Sequence, residues 1–330
     1  MYLSVIIPTR NRSRYLSSAL ESLTRQTYPR AKFEVIVVDN GSTDTTQEIC
    51  ASLTKKIPQL RYFYEGTPGL HIGRHRGAKA ARGRFLLFLD DDTIADPGWL
   101  DAVCKAFEQP DIALVGGKIL PLWEGDVPDW IDIFRSKTRY GWTIGYLSLL
   151  DFGDTSLEAP AEYIYGCNFS IRKSILFECG GFHPDAMPQE LIRFRGDGET
   201  ALALRIRQSG YKVLYEPRAT VFHRIPPERL TIDYFCRRAF NQGISDSFRE
   251  IRQRSGLYDS IPLNNRSGTL ALHIRKTLRH FLIWKKKFRS EDHLLMSQVA
   301  RSHEEGRSFH QNEVSRDPAL LSYVLKENYF

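Results

Sequence analysis

Residues 85–92 read Phe-Leu-Leu-Phe-Leu-Asp-Asp-Asp, five apolar side chains that stop at three adjacent carboxylates. A run apolar at every position is the pattern of a strand buried on both faces. It places Asp90, Asp91 and Asp92 at that strand's carboxyl end, the edge where open α/β sheets bind ligands. Clustered carboxylates suit a hard divalent cation such as Mg2+ or Mn2+, whose other ligands are commonly substrate phosphate oxygens. The plainer alternative is a solvated loop or helix cap, because Asp92-Thr93 and Asp96-Pro97 both have the form of a helix start. A second carboxylate stands in the same kind of place. Val35-Ile36-Val37-Val38 ends in Asp39, ahead of Asn40-Gly41-Ser42-Thr43-Asp44. Such an Asp can accept hydrogen bonds from a base edge or a ribose, or it can close an Asx turn before a helix capped by Ser42 or Thr43. Asp44 fits the capping role, beside the positive helix end. Pro8-Thr9-Arg10-Asn11-Arg12 closes a third apolar run and adds a hydroxyl and two cations to the same edge.

These groups need parallel strands to bring them together. Strands are expected at Leu3–Ile7, Phe33–Val38, Leu60–Tyr64, Phe85–Leu89 and Ala113–Ile119. Leu16, Ala19, Leu20 and Leu23 recur at the three- and four-residue steps of a helix covering a sheet. Further helices are expected after Ser42 or Thr43, over about Ile72 to Ala81, and from Pro97 with Asp96 as cap. The alternation implies right-handed crossovers and a doubly wound, mostly parallel sheet. From Pro121 to Ala161 neither period survives, and three Trp (Trp123, Trp130, Trp142) fall among Pro and Gly. That segment reads as a long irregular insertion. Beyond it come a strand at Cys167–Ile171, a helix near Lys173–Cys179 stopped by Gly180-Gly181, and a helix at Thr200–Ser209. Strands at Lys212–Tyr215 and Ala219–Phe222 follow, and then a mainly helical, basic region from about Arg224.

The chain has 330 residues, enough for one large core or two modest ones, and a formal charge of +7 that favours anionic partners. Five scattered cysteines without metal-ligand spacing suggest free thiols in a reducing compartment. No charged leader precedes the first apolar run, so export is not expected, and the uncharged stretch from Tyr140 to Leu150 is well short of the ~20 apolar residues that span a bilayer. A cytoplasmic enzyme is the expectation.

The sequence of motifs, Val5-Ile6-Ile7-Pro8-Thr9-Arg10-Asn11-Arg12, then Val35 to Asp44, then Phe88-Leu89-Asp90-Asp91-Asp92, resembles the nucleotide-sugar half of family 2 glycosyltransferases with the GT-A fold. The likeness continues through Gly166-Cys167-Asn168-Phe169-Ser170-Ile171-Arg172 and Gly180-Gly181-Phe182 to the segment Asp197–His223. It implies a Rossmann-like α/β catalytic domain at 1–223, with a nucleotide-sugar-binding half at 1–120 and an acceptor half at 121–223. Residues 224–330 form a basic helical extension. The activity implied is inverting transfer of a hexosyl group from a nucleoside-diphosphate sugar, with a UDP-sugar taken first, to a saccharide or lipid-linked acceptor in polysaccharide or glycolipid synthesis. The cofactor implied is Mn2+ or Mg2+.

The resemblance also implies roles. Thr9 and Asp39 match nucleoside contacts, and Arg10 and Arg74 lie near the donor, although the usual Ala-Arg-Asn reads Gly73-Arg74-His75 here. Asp90 and Asp92 match the two acids of the Asp-x-Asp motif, Asp90 beside the ribose and Asp92 on the metal; Asp91, the variable middle position, ranks below them as a donor contact. His223 matches a residue close to the diphosphate or metal. The usual Gly-Glu-Asp before a Leu-x-x-Arg helix reads Asp197-Gly198-Glu199, so Glu199 falls in the place of the base and Asp197 competes with it; both also fit helix capping. Trp123 and Trp142 suit sugar faces, or the insertion's own small core.

Rival readings are a phosphatase of the haloacid dehalogenase type, which has an Asp-x-Asp strand end but leaves Asp39 and Thr9 without purpose, and a metal-dependent nucleotidyltransferase. A non-enzymatic reading is a membrane-surface module. Residues 266–289 contain eight Lys/Arg and no Asp/Glu, with Leu270, Ile274, Leu278, Phe281 and Leu282 on one helical face. The default is that this face packs on the catalytic domain; the alternative is peripheral attachment to the inner face of a membrane. Nucleic acid is not expected, since no binding motif accompanies the charge.

Overall fold

A computed structural model describes residues 2–257 and 290–330. The amphipathic stretch 266–289 lies outside the described residues.

The leading apolar runs form strands β1 (Leu3–Thr9), β2 (Phe33–Asp39), β3 (Leu60–Tyr64) and β4 (Phe85–Leu89). Strand β5 (Thr93–Ala95) follows at once, then β6 (Ile112–Gly116) and β7 (Ile119–Trp123). The order continues with β8 (Ser136–Lys137), β9 (Trp142–Ile144), β10 (Leu149–Asp151), β11 (Leu157–Glu158), β12 (Asn168–Arg172), β13 (Lys212–Tyr215) and β14 (Val221–Ile225). Among the described residues the first sheet runs β11-β13-β6-β12-β4-β1-β2-β3. Strands β1 to β4 are mutually parallel, and β12 lies antiparallel between β4 and β6. This is an α/β fold with a Rossmann-like, mostly parallel sheet, as expected.

The period of two decides what covers each face. Leu3, Val5, Ile7, Val35, Val37, Leu87 and Leu89 point into one core with helices α1 (Ser13–Thr24), α2 (Thr46–Leu53) and α4 (Trp99–Ala106). Ile6, Ile36, Val38, Leu86 and Phe88 point into the other, under α3 (Leu70–Ala80), α5 (Lys173–Glu178) and α6 (Glu199–Gln208). Helix α3 lies unusually close to β1, because a side-chain carbon at Gly77 would stand 2.4 Å from Ile6 Cγ2. That approach carries Arg74, one turn earlier, to the strand ends.

Three expectations need correction. The helix expected from Pro97 begins at Trp99; Asp96 Oδ1 instead accepts from the Gly98 N–H and so prepares the turn. The run Ala113–Ile119 is two strands, broken at Gly117-Lys118, where the chain leaves the first sheet for the second. The insertion is also more ordered than its composition suggests. Strands β7 to β10 join β5 and β14 in a second sheet ordered β5-β14-β7-β10-β9-β8. In it β14 pairs antiparallel with β5 and places His223 opposite Thr93, one residue past Asp92.

Toward the C-terminus α7 (Ile232–Arg254) packs along the helix Ser290–Arg316, and the tail after the helix Pro318–Val324 returns to α3. Phe330 stacks on His75 with ring centres 4.1 Å apart. His75 Nε2 accepts from the Phe182 N–H at 2.9 Å, so the ring proton sits on Nδ1 and faces the Tyr329 carbonyl at 3.2 Å. Burial holds His71, His75 and His183 down to about 4, 3 and 4 from the ordinary 6.5. The unfolded chain therefore takes up protons that the folded chain refuses as the pH falls below 6.5, so their stabilisation is complete above that value and is lost below it. The melting temperature should fall between about pH 7 and about pH 5. His75→Gln, whose amide can keep both hydrogen bonds, should flatten the decline; a wild-type melting temperature constant over that range refutes the account.

Candidate active site

Thr9, Asp39 and Asp90 to Asp92 meet along one edge, because β1, β2 and β4 are parallel neighbours and end together. Asp39 is buried and already engaged: Oδ2 accepts from Tyr62 Oη at 2.7 Å and Oδ1 from the Ser42 N–H at 2.7 Å. It thus closes the turn after β2 while standing at the crevice. Asp44 Oδ1 accepts from the Thr46 N–H at the start of α2, and its Oδ2 from the Ser13 N–H that opens α1. Asn11, in the left-handed region at φ 53°, receives the Thr43 N–H on its Oδ1. The two loops are locked to each other.

That turn at Asn11 leaves Arg10 exposed and brings Arg12 onto the acids. Arg12 Nε lies 3.1 Å from Asp91 Oδ1 and its NH2 nitrogen 2.6 Å from Asp92 Oδ2. Asp91 also accepts from Thr9 Oγ1 at 2.7 Å, so the hydroxyl and the middle acid are turned to each other beneath the crevice. Burial drives the Asp91 carboxyl upward against the pull of Arg12. Burial acts on Asp92 in the same sense, but His223, Arg229 and Arg12 outweigh it and hold that carboxyl well below the usual range. Arg229 NH2 is 2.6 Å from Asp92 Oδ2, and His223 Nε2 is 3.3 Å from Asp92 Oδ1. His223 Nδ1 faces the Leu147 carbonyl at 2.9 Å, which fixes the outward imidazole nitrogen as Nε2.

Asp90 is the acid of the three left partly exposed. Its Oδ1 lies 3.3 Å from the NH2 nitrogen of Arg74, a side chain only 2% exposed that stands over the Phe182 ring. Arg74 NH1 reaches Glu199 Oε2 at 3.8 Å on the far side of the crevice. Glu199 opens α6, and its Oε1 accepts weakly from the Gly166 N–H at 3.3 Å. Gly198, at φ 56°, turns the chain between the two candidate bases. Asp197 goes inward, receiving His183 Nδ1 at 2.7 Å with no exposure of either side chain, and Arg249 of α7 stands 3.7 Å away. His183 and Arg249 give no signal in the sequence, because their meeting with Asp197 is purely tertiary. The same holds for Arg229, on an irregular turn six residues past His223.

Asp92 and His223 offer a carboxylate and an imidazole nitrogen side by side, a donor set that suits Mn2+ and also admits Mg2+. Among the described residues no cluster of three or more His, Cys, Asp or Glu converges as a metal cage. A cation held here would complete its shell with diphosphate oxygens and water. The tryptophans divide: Trp130 packs edge-on against Phe235 and Phe134, whereas Trp142 lies under the Arg135 guanidinium, 4.4 Å from its ring centre, and Trp123 ends β7 half-buried.

Among curated proteins, 249 residues are 26% identical to the glucosyl-dolichyl phosphate glucuronosyltransferase of Haloferax volcanii, a match over 74% of this chain and 76% of that one. Among solved structures, the mannosyltransferase PcManGT of Pyrobaculum calidifontis, in complex with GDP-Man and Mn2+, superposes with a TM-score of 0.56 at 17% identity over 98% of this chain and 84% of that one. Staphylococcus aureus TarS 1-349 with UDP-GlcNAc gives a TM-score of 0.50 at 16% identity over 95% and 92%. At such identities the two structures speak to the fold alone. The model of Glycosyl transferase family 2 matches residues 4–179, from β1 through α5 and so through both acidic strand ends, and the chain belongs to that family of sugar-transferring enzymes.

Proposed function

We propose that the crevice performs inverting transfer of a hexosyl group from a nucleoside-diphosphate sugar to an acceptor hydroxyl, with Glu199 as the general base. The observation that carries this reading is the line Asp90–Arg74–Glu199, in which one buried guanidinium ties an acid at the donor strand to an acid at the head of α6. The acceptor oxygen attacks the anomeric carbon as its proton passes to a Glu199 oxygen. The bond from that carbon to the diphosphate breaks, and its electron pair leaves on the nucleoside diphosphate. Asp39, Thr9 and Asp90 bind and orient the nucleoside. Arg74 holds Asp90 and Glu199 at a set separation. A divalent cation, when held by Asp92 and His223, supplies neutralisation of the charge that grows on the departing diphosphate.

Asp197 is the weaker candidate for the base, because its carboxylate is sealed against His183. Glu199→Gln should lower turnover by roughly 10²–10⁴-fold while leaving the melting temperature and donor binding nearly unchanged. Asp197→Ala should instead destabilise the fold, by about 1–3 kcal/mol for the loss of a buried hydrogen-bond partner of His183. The reverse pattern would make Asp197 the base.

The donor is read as a UDP-sugar first, with GDP-sugars close behind, since both nucleotides occur among the solved relatives. A thermal-shift screen of UDP-, GDP- and dTDP-sugars with Mn2+ or Mg2+ should single out one. At a hundred times its Kd the right donor stabilises by about 2.7 kcal/mol, a rise of a few degrees. Asp92→Ala should abolish the cation-dependent part; an unaltered response removes Asp92 from the donor site.

The acceptor is read as a saccharide or a lipid-linked sugar, in glycolipid or polysaccharide synthesis at the cytoplasmic face of a membrane. The Haloferax relative, a glucosyl-dolichyl phosphate glucuronosyltransferase, supports a lipid-linked acceptor. No helix among the described residues is long and apolar enough to cross a membrane. Attachment is read as peripheral, through the basic stretch 266–289. Full-length protein should co-sediment with anionic liposomes, and deletion of 266–289 should release it; equal binding by both would end the membrane claim.

A further inference from the structure

Arg229 sits on the turn between β14 and α7, where Pro226 and Pro227 hold the chain and the Arg229 N–H donates to the Pro226 carbonyl. Its guanidinium is two-headed. NH2 donates to Asp92 Oδ2 at 2.6 Å, and NH1 donates to His223 Nε2 at 2.9 Å. These atoms belong to the two residues read above as cation ligands, and the Nε2 lone pair cannot serve a guanidinium proton and a metal together. Arg12 reinforces the arrangement from the opposite loop by donating to the same Asp92 oxygen at 2.6 Å.

We propose that Arg229 is a cation surrogate at the donor site: its guanidinium and a divalent cation exclude each other on Asp92 and His223, so that the cation enters together with the nucleoside diphosphate, to which the displaced guanidinium transfers. The inference rests on the cation reading of the preceding subsection and adds to it a positioning residue and an order of binding. The physical argument is charge balance. A dication placed against Asp92 while Arg229 and Arg12 remain would put three cationic groups around one buried carboxylate. A diphosphate added alone would meet acids already held by guanidiniums. Added together, the cation takes over Asp92 and His223, and the diphosphate gives Arg229 an anion with the oxygen geometry that a planar guanidinium fork matches. Cation and nucleotide are then positively coupled, and by linkage each strengthens the other to the same extent.

Mn2+ binding, read by electron paramagnetic resonance of the free ion, tests the proposal without turnover. Arg229→Met should bind Mn2+ alone roughly tenfold to a hundredfold more tightly than wild type, the scale of the charge-assisted hydrogen bonds given up. Arg229→Lys should fall between them, since one ammonium cannot span both acceptors. Saturating UDP or GDP should raise Mn2+ affinity more in wild type than in Arg229→Met. A folded Arg229→Met with Mn2+ affinity equal to or weaker than wild type overturns the proposal; if that variant fails to melt cooperatively, the same comparison is made on Arg229→Lys. Asp92→Ala separates the two levels of argument. Loss of Mn2+ binding in Asp92→Ala together with no gain in the Arg229 variants sinks the surrogate alone, whereas undiminished Mn2+ binding in Asp92→Ala sinks the cation reading and the surrogate with it.

Discussion

A carboxylate cannot be buried at a sheet edge unless other groups neutralise it, and Asp92 is almost wholly buried. Its neutralisation draws on distant parts of the chain. Arg12 comes from the turn after β1, Arg229 from the turn before α7, and His223 from β14. The antiparallel pairing of β14 with the short β5 is what sets His223 beside Asp92, and the second sheet exists in large part to hold that strand. Loss of this electrostatic knot would part the turn after β1 and the end of β4 from the turn before α7.

Much of this was legible in the sequence because short runs rich in apolar residues between turn signals mark strands. Leu60–Tyr64, Phe85–Leu89 and Lys212–Tyr215 have the observed strand bounds, each being a short run closed by polar or turn residues. The strands of the insertion were hidden, since Ser136–Lys137, Trp142–Ile144 and Leu149–Asp151 are too short to establish a period. Strand β5 was hidden for a different reason: Asp92-Thr93 has the local chemistry of a cap, and only the arrival of β14 from 128 residues later makes Thr93–Ala95 a strand.

The acids of the site were legible as strand ends, but their partners were not. Arg10 and Arg12 are equivalent on paper, and a single left-handed residue, Asn11, decides which one meets Asp91 and Asp92. Asp197 and Glu199 are equivalent in the same way, both just ahead of one helix, until the positive φ at Gly198 sends one inward and leaves the other facing out. Family likeness did bring Asp92 and His223 together in advance, and they lie 3.3 Å apart.

One rule sorts the acids into those that hold the fold and those left for chemistry. Asp197 is fully enclosed and committed to a short contact with His183, and Asp91 likewise faces Thr9 and Arg12 from inside. Asp90 and Glu199 keep partial exposure and longer contacts of 3.3 and 3.8 Å to the one guanidinium they share. A carboxylate that must take up a proton cannot already be committed to a short, buried pair, because breaking such a pair would cost more than the new bond returns. Asp92 is the exception that gives the site its logic. It is as buried as the structural acids, yet its charged partners are the guanidiniums of Arg12 and Arg229, and a cation is the kind of group that another cation can replace without leaving the carboxylate bare.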